Sequence, residues 1–286
     1  MNIKLNKHFD QDELIRSFES VKEFNKAPAG YPGEGNVSWD AITLFSLGNE
    51  EASLLSKLPF LSATFKALNL NIRLLRFMIL EPGGIIQKHQ DSFLSNSIVR
   101  LHIPVITHPD VEFYLNHERC NWFPGELWYG DFSLEHYGIN NSNVSRVHLV
   151  IDVTVDENLL KLFPPHEVTE KLKANQHNTG ADSQFDPVIL ERFRCNFTLP
   201  SGFSLPGLNY SELQEELNGS IKVVGNELSL FVNDQPLLKV LPVTEDKLAL
   251  IGLGQEAFVN YRFGSQGIKN LELNIFNMVV PISLAN

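Results

Sequence analysis

The chain has 286 residues, 43% of them hydrophobic and 20% charged, with a formal net charge of −11. Such a composition is that of an ordinary globular protein of one or two domains, and with no Lys/Arg run it argues against a nucleic-acid or membrane partner. Two cysteines, Cys120 and Cys195, are too few for a disulfide scaffold or a cysteine-based zinc site.

The N-terminal "MNIKLNKHFDQDELIRSFES" lacks an apolar leader, so the expected compartment is the cytoplasm. Residues 10–23 read as an amphipathic helix with Leu14, Ile15 and Phe18 on one face. A Gly/Pro-rich loop, "APAGYPGEGNVSWD", precedes an apolar strand, "AITLFSL". "PFLSATFKALN" predicts a short helix with Phe60, Leu61, Phe65 and Leu68 along one stripe. "NIRLLRFMILEPGG" is a strand ending in a Pro-Gly turn.

From Ile85 to Val155 strand follows strand: "IIQKHQD", "IVRLHIPVIT", "VEFYLN", "ELWYGD" and "SRVHLVIDVTV". Short strands at close spacing, without helices between them, point to an antiparallel sandwich or barrel. "DENLLKLFPP" then predicts a helix stopped by prolines. The mostly polar stretch 166–186 is the expected linker, dividing a first domain, 1–165, from a small β-rich domain, 187–286. In that second part "YSELQEELNG" reads as a helix with a Ser-x-x-Gln capping box and a closing glycine. Strands joined by Gly-Asn and Asn-Asp turns follow, with no histidine and no chemical constellation.

The chemistry gathers in the first domain. "IIQKHQDSF" sets His89 and Asp91 two apart, which on a strand turns both to one face and lets them grip a single ion. His136, in "GELWYGDFSLEHYGIN", is the candidate third ligand. Two histidines and a carboxylate with open positions suit non-haem iron(II), although zinc accepts the same set. In "SRVHLVID", Arg146, His148 and Asp152 share one strand face while Val147, Leu149 and Ile151 share the other. "VRLHIPV" repeats the device with Arg100 and His102. A buried charged face needs a ligand or partners, and guanidinium is suited to holding a carboxylate at two points. Cations on separate strands beside such a triad suggest a small dicarboxylate that chelates the metal at one end.

"LRFMILEPGGIIQKHQD", "VRLHIPV" and "GELWYGDFSLEHYGINNSNVSRVHLVIDV" together resemble the aspartyl/asparaginyl β-hydroxylase group of iron(II)/2-oxoglutarate dioxygenases, bacterial proline cis-4-hydroxylases in particular. The likeness covers roughly residues 40–155. It implies a mainly β chain with flanking helices and a double-stranded β-helix (jelly-roll, cupin-like) core, followed by the β-rich C-terminal domain. It further implies His89, Asp91 and His136 as iron ligands, Arg146 as the partner of the distal 2-oxoglutarate carboxylate, and Arg100 and His102 near the cosubstrate. Some members of the group carry glycine at the position of Asp91. With Fe(II), 2-oxoglutarate and O2, such an enzyme hydroxylates an unactivated C–H of an amino acid or peptide side chain and releases succinate and CO2.

Other residues carry weaker signals. Asp131 is read either as a partner of His136 or as a turn cap. Trp39, Tyr114, Trp122 and Trp128 line a pocket or simply pack. Arg119 reads as solvated at a hairpin tip, and His108 and His117 lie in loops. Two rival readings remain: a cupin-type metal enzyme without 2-oxoglutarate, against which Arg146 speaks, and a binding protein that keeps the barrel, against which the intact triad speaks.

Overall fold

An extended strand turns alternate residues to opposite faces, and the fold follows from burying the two faces of each central strand differently. A computed structural model describes residues 2–24, 27–28, 39–46, 53–91, 98–167, 172–173, 187–200, 217–225, 227–250, 257–265, 267–275, 278–280 and 282–285. Its strands are β1 (Asn2–His8), β2 (Ala27–Pro28), β3 (Trp39–Ser46), β4 (Ile72–Leu80), β5 (Ile85–His89), β6 (Ile98–Ile106) and β7 (Val111–Leu115). Next come β8 (Glu118–Arg119), β9 (Glu126–Gly130), β10 (His136–Asn140) and β11 (Arg146–Thr154). They form a larger sheet, β1-β9-β6-β11-β4-β3-β2, and a smaller one, β5-β10-β7-β8, with antiparallel pairing throughout. The chain winds between the two sheets as a double-stranded β-helix.

The outer face of the larger sheet is apolar. Leu75, Phe77, Leu101, Ile103, Leu149 and Ile151 are completely buried there, in one cluster with Leu14 and Phe18 of α1 (Gln11–Glu19) and Leu61 and Phe65 of α2 (Pro59–Leu68). Asp10 caps α1 by accepting from the Glu13 amide at 3.0 Å. Proline opens α2, and Asn69, at φ 50°, ends it in the left-handed region. The inner face is polar, and cross-strand register sets its rows. Asp152 lies between Arg100 and Leu74, Val150 between His102 and Arg76, and His148 between Pro104 and Met78.

Several expectations change. β1, unread in the sequence, forms one edge of the larger sheet against β9. The helix at "DENLLKLFPP" is a single turn, Glu157–Leu160, capped by Asp156. Leu172, inside the segment read as a linker, is buried in the main core; most of that segment lies outside the described residues. The helix read over 210–219 also lies largely outside them, and its last residues are strand instead. Gly219 does not close a helix: a Cβ there would come within 2.2 Å of the Phe197 ring, so glycine allows close packing.

Beyond residue 190 a second hydrophobic cluster, sharing no residue with the first, lines a nine-stranded antiparallel sheet. It runs as a meander from Cys195–Leu199 to Met278–Val280, with the short strand Ser283–Leu284 added beside Cys195–Leu199. The Asn233-Asp234 turn has both residues at positive φ, 49° and 61°, as a two-residue hairpin of this twist requires. Among the described residues no helix is long and apolar enough to cross a membrane.

Candidate metal centre

β5 ends on His89, and β10 begins on His136 directly opposite it. Asp91, two residues past His89, is tied into place when its amide donates to the Phe132 carbonyl at 2.8 Å. Gly138 keeps β10 close to β7, because a Cβ there would stand 2.9 Å from the Phe113 ring. The three side chains converge so that one ligand atom from each lies within 4.8 Å of the others. Asp91 Oδ1 stands 3.5 Å from His89 Nε2 and 3.7 Å from His136 Nε2.

The tautomers favour a metal. His89 Nδ1 meets the Gln87 carbonyl at 2.7 Å and His136 Nδ1 the Leu134 carbonyl at 3.0 Å. A carbonyl only accepts, so each Nδ1 carries the proton and each Nε2 presents a lone pair to the centre. Burial pulls His136 down to about 4, against an upward pull from Asp91, so the ring is neutral at physiological pH. Burial pushes the Asp91 carboxyl upward, but the Arg100 guanidinium beside it, with the neighbouring histidines, holds it below the ordinary range. Two imidazoles and one carboxylate are the donor set of a divalent cation with open positions, so the residues fit the iron the sequence suggests.

Arg100 stands beside the triad, as the R-x-H motif on β6 places it. Its Nε and Nη2 donate to Asp152 Oδ1 and Oδ2 at 2.7 and 3.0 Å, while Nη1 donates to Asp91 Oδ2. Arg100 is thus engaged by two carboxylates, one of them the triad's own. The arrangement leaves Asp91 Oδ1 facing the histidines and fixes Oδ2 behind it.

Arg146 is the opposite case. It is 4% exposed, yet among the described residues it meets no carboxylate. Its guanidinium lies 5.4 Å from the Phe113 ring, and Nη2 donates to His148 Nδ1 at 3.0 Å. Burial pushes it down to about 9. His148 Nδ1, accepting from Arg146, also faces His102 Nδ1 at 3.2 Å. His102 therefore carries its proton on Nδ1, and its Nε2 is a buried acceptor without a partner among the described residues. The His102 ring stacks on Phe132 at 4.7 Å, and Phe132 in turn meets His136 edge-on at 5.0 Å. Burial, then Arg146, hold His102 and His148 well below the usual imidazole range.

The remaining sequence candidates separate clearly. Asp131 accepts from Ser133, and it is the Leu134 carbonyl that orients His136. Tyr114 stacks on Tyr137 at 4.9 Å and donates to Glu112, away from the triad. Trp122 and Trp128 stack on each other at 5.7 Å as packing beneath His102. Trp39 pairs in register with Leu80, and its side chain lies outside the described residues. Arg119 donates to the Pro109 carbonyl at the surface, and His108 bonds the Asp110 amide. Sequence reading missed Arg76, which stands on the polar inner face; the alternation Leu74, Arg76, Met78, Leu80 was its only signal.

The family described as aspartyl/asparaginyl β-hydroxylase matches residues 7–155, more than half of the chain. A prolyl-4-hydroxylase from Pseudomonas putida is a similar solved structure, with 14% identity, 54% of this chain and 91% of that chain covered, and a TM-score of 0.37. An oxidoreductase of the 2OG-Fe(II) oxygenase family from Burkholderia pseudomallei has 15% identity, with 54% and 84% covered and a TM-score of 0.38. No curated protein matches the sequence.

Proposed function

The chain belongs to the aspartyl/asparaginyl β-hydroxylase family, and from that premise we propose that it is an iron(II)- and 2-oxoglutarate-dependent dioxygenase. Its substrate is an amino acid or a peptide side chain, hydroxylated at an unactivated C–H with release of succinate and CO2. The observation that carries this reading is Arg146 of β11, a buried guanidinium that meets no carboxylate among the described residues.

His89, Asp91 and His136 would hold the iron, which with 2-oxoglutarate and dioxygen supplies the oxidant. The protein's part is placement. Neutral His136 and the Nδ1-protonated tautomers keep lone pairs available for the metal. Arg100 holds Asp91 in orientation. Arg146 would pair with the distal carboxylate of 2-oxoglutarate, where water exclusion strengthens the bond. A cupin-type metal enzyme without 2-oxoglutarate leaves Arg146 unexplained. Residues 1–165 would be the catalytic domain and 187–286 a separate one. The free cysteines support a cytoplasmic setting.

The test is calorimetric titration of 2-oxoglutarate into the anaerobic Fe(II) protein. Losing one partner of a buried ion pair costs roughly 3–5 kcal/mol, so Arg146→Ala should weaken binding by about a hundredfold or more. Arg146→Lys should recover part of it, since an ammonium lacks the planar fork. Equal affinity in wild type and Arg146→Ala would remove the cosubstrate assignment.

A further inference from the structure

Several buried charges of residues 1–165 are accounted for by the packing around them. Arg73 donates to Thr154 Oγ1 at 2.7 Å. Glu126 accepts from the Phe123 amide and from Trp128 Nε1, both at 3.0 Å, and from Lys4. His148 is a different case. It lies outside the triad and is 4% exposed, and among the described residues its hydrogen bonds join it to Arg146 and His102 alone. Its register neighbours on β4 and β6, Met78 and Pro104, offer no side-chain donor. Burial, then Arg146 and His102, hold the imidazole neutral, so a lone pair stands on Nδ1. Trp122, 6.1 Å from the His148 ring and 5.4 Å from that of His102, walls the pair in.

Guanidinium geometry gives that lone pair a consequence. An arginine presents two forks to a carboxylate, one from Nε and Nη2 and one from Nη1 and Nη2. Each Nη2 hydrogen belongs to one fork, so an acceptor held on it closes that fork and leaves the other. Arg100 shows the first fork in use, with Nε and Nη2 both on Asp152. In Arg146 the 3.0 Å bond from Nη2 to His148 Nδ1 therefore fixes which edge is left for a ligand. The Phe113 ring, 5.4 Å from the guanidinium, packs against it as well. An arginine pinned in this way keeps one reach from the metal centre. With the metal at one end of the cosubstrate and Arg146 at the other, that reach measures the carbon chain between them.

We propose that His148 is a positioning residue that holds Arg146 in place and thereby sets the chain length of the 2-oxo dicarboxylate the site accepts. This rests on the 2-oxoglutarate dioxygenase reading. His148 acts through Arg146 and need not touch the cosubstrate. Its bond to Arg146 is present before and after binding, so the bond's own energy cancels. What the ligand gains is a long side chain already ordered, worth about 2- to 12-fold in affinity.

The experiment uses the full chain with Fe(II), anaerobic, and begins with calorimetric titration of 2-oxoglutarate into wild type. Oxaloacetate, one carbon shorter, and 2-oxoadipate, one carbon longer, are titrated in the same way. Wild type should prefer 2-oxoglutarate to both; equal affinity for all three would overturn the proposal. His148→Leu removes the acceptor and should bind 2-oxoglutarate about 3- to 10-fold more weakly. The other two acids should lose less, so that the preference narrows by about threefold or more. His148→Asn places an amide oxygen where Nδ1 stood and should keep wild-type affinity and preference within about twofold. Fe(II) affinity should change by less than about twofold in both variants, since His148 bonds to no member of the triad. An unchanged His148→Leu protein would overturn the proposal, and so would equal losses in the Leu and Asn variants. Equal loss for all three acids together with weaker Fe(II) binding would overturn it too, as the mark of a residue that only supports the fold. Should His148→Leu not fold, nitrogen NMR of the metal-free wild type, with His148→Asn identifying the resonance, decides instead. A neutral His148 protonated on Nε2 supports the proposal, whereas a proton on Nδ1 leaves nothing to accept from Arg146 and would overturn it. Wild type that binds no 2-oxoglutarate in the first step would remove the underlying reading, and the proposal with it.

Discussion

Asp152 touches no part of the triad, yet Asp152→Asn should loosen the metal. The carboxylate accepts from Arg100 Nε and Nη2 at 2.7 and 3.0 Å, and Arg100 in turn holds Asp91. All three residues are at most 6% exposed, so water cannot replace a lost partner. Removing one member of a buried pair costs roughly 3–5 kcal/mol. The amide keeps one carbonyl oxygen and Arg100 keeps Asp91, which places the expected stability loss at the low end, about 3 kcal/mol, or roughly 6–12 °C of melting temperature for a domain of this size. With its second carboxylate gone, the guanidinium draws harder on Asp91 and no longer orients it from a fixed position. Loss of such a supporting contact typically costs about 10–100-fold in metal affinity. Anaerobic Fe(II) titration by calorimetry, alongside melting of the metal-free protein, separates the two effects. Arg100→Met combined with Asp152→Asn should be less destabilising than the sum of the singles, since no buried charge of the pair is then left alone. A melting loss with metal affinity within about twofold of wild type would refute the positioning argument.

His89→Ala and His136→Ala should each abolish Fe(II) binding at moderate concentrations while the fold persists, and a wild-type titration curve for either would dismiss the ligand assignment. The folded-state pKa of His136 is about 4 against 6.5 in the unfolded chain. Between those values the unfolded chain takes up the proton and the folded one does not, so stability is complete above 6.5 and falls as the pH drops towards 4. The loss should approach roughly 3 kcal/mol from this group, and His102 and His148, also lowered by burial, act in the same direction. Urea unfolding of the metal-free protein across that range measures it, and a flat profile would contradict the burial argument. Limited proteolysis should cut first between Lys173 and Asp186, past the buried Leu172, and release two folded fragments; uniform resistance would point to one continuous domain.

How much of this was legible in the sequence depends on the range over which each feature is decided. Side-chain alternation is a property of the extended backbone itself, so the two-faced strands at Val99–Ile103 and Arg146–Asp152 could be read directly. The spacing of His89 and Asp91 is equally local, and so is the Asn233-Asp234 turn. The partners of the charged groups could not be read. Arg100 meets Asp152, 52 residues away, because β6 and β11 pair in one register; a one-residue slip would turn one side chain to the opposite face. Nothing within "LRFMIL" distinguishes an arginine at a strand surface from one sealed inside, as Arg76 is. Gly219 likewise looked like a helix stop until Phe197 from the neighbouring strand lay against it. The sequence by itself determined which residues share a face, since that follows from backbone geometry. Only the tertiary structure decided which charges are paired and which are left open, because ion pairing and desolvation depend on strands distant in the chain being brought together in one register.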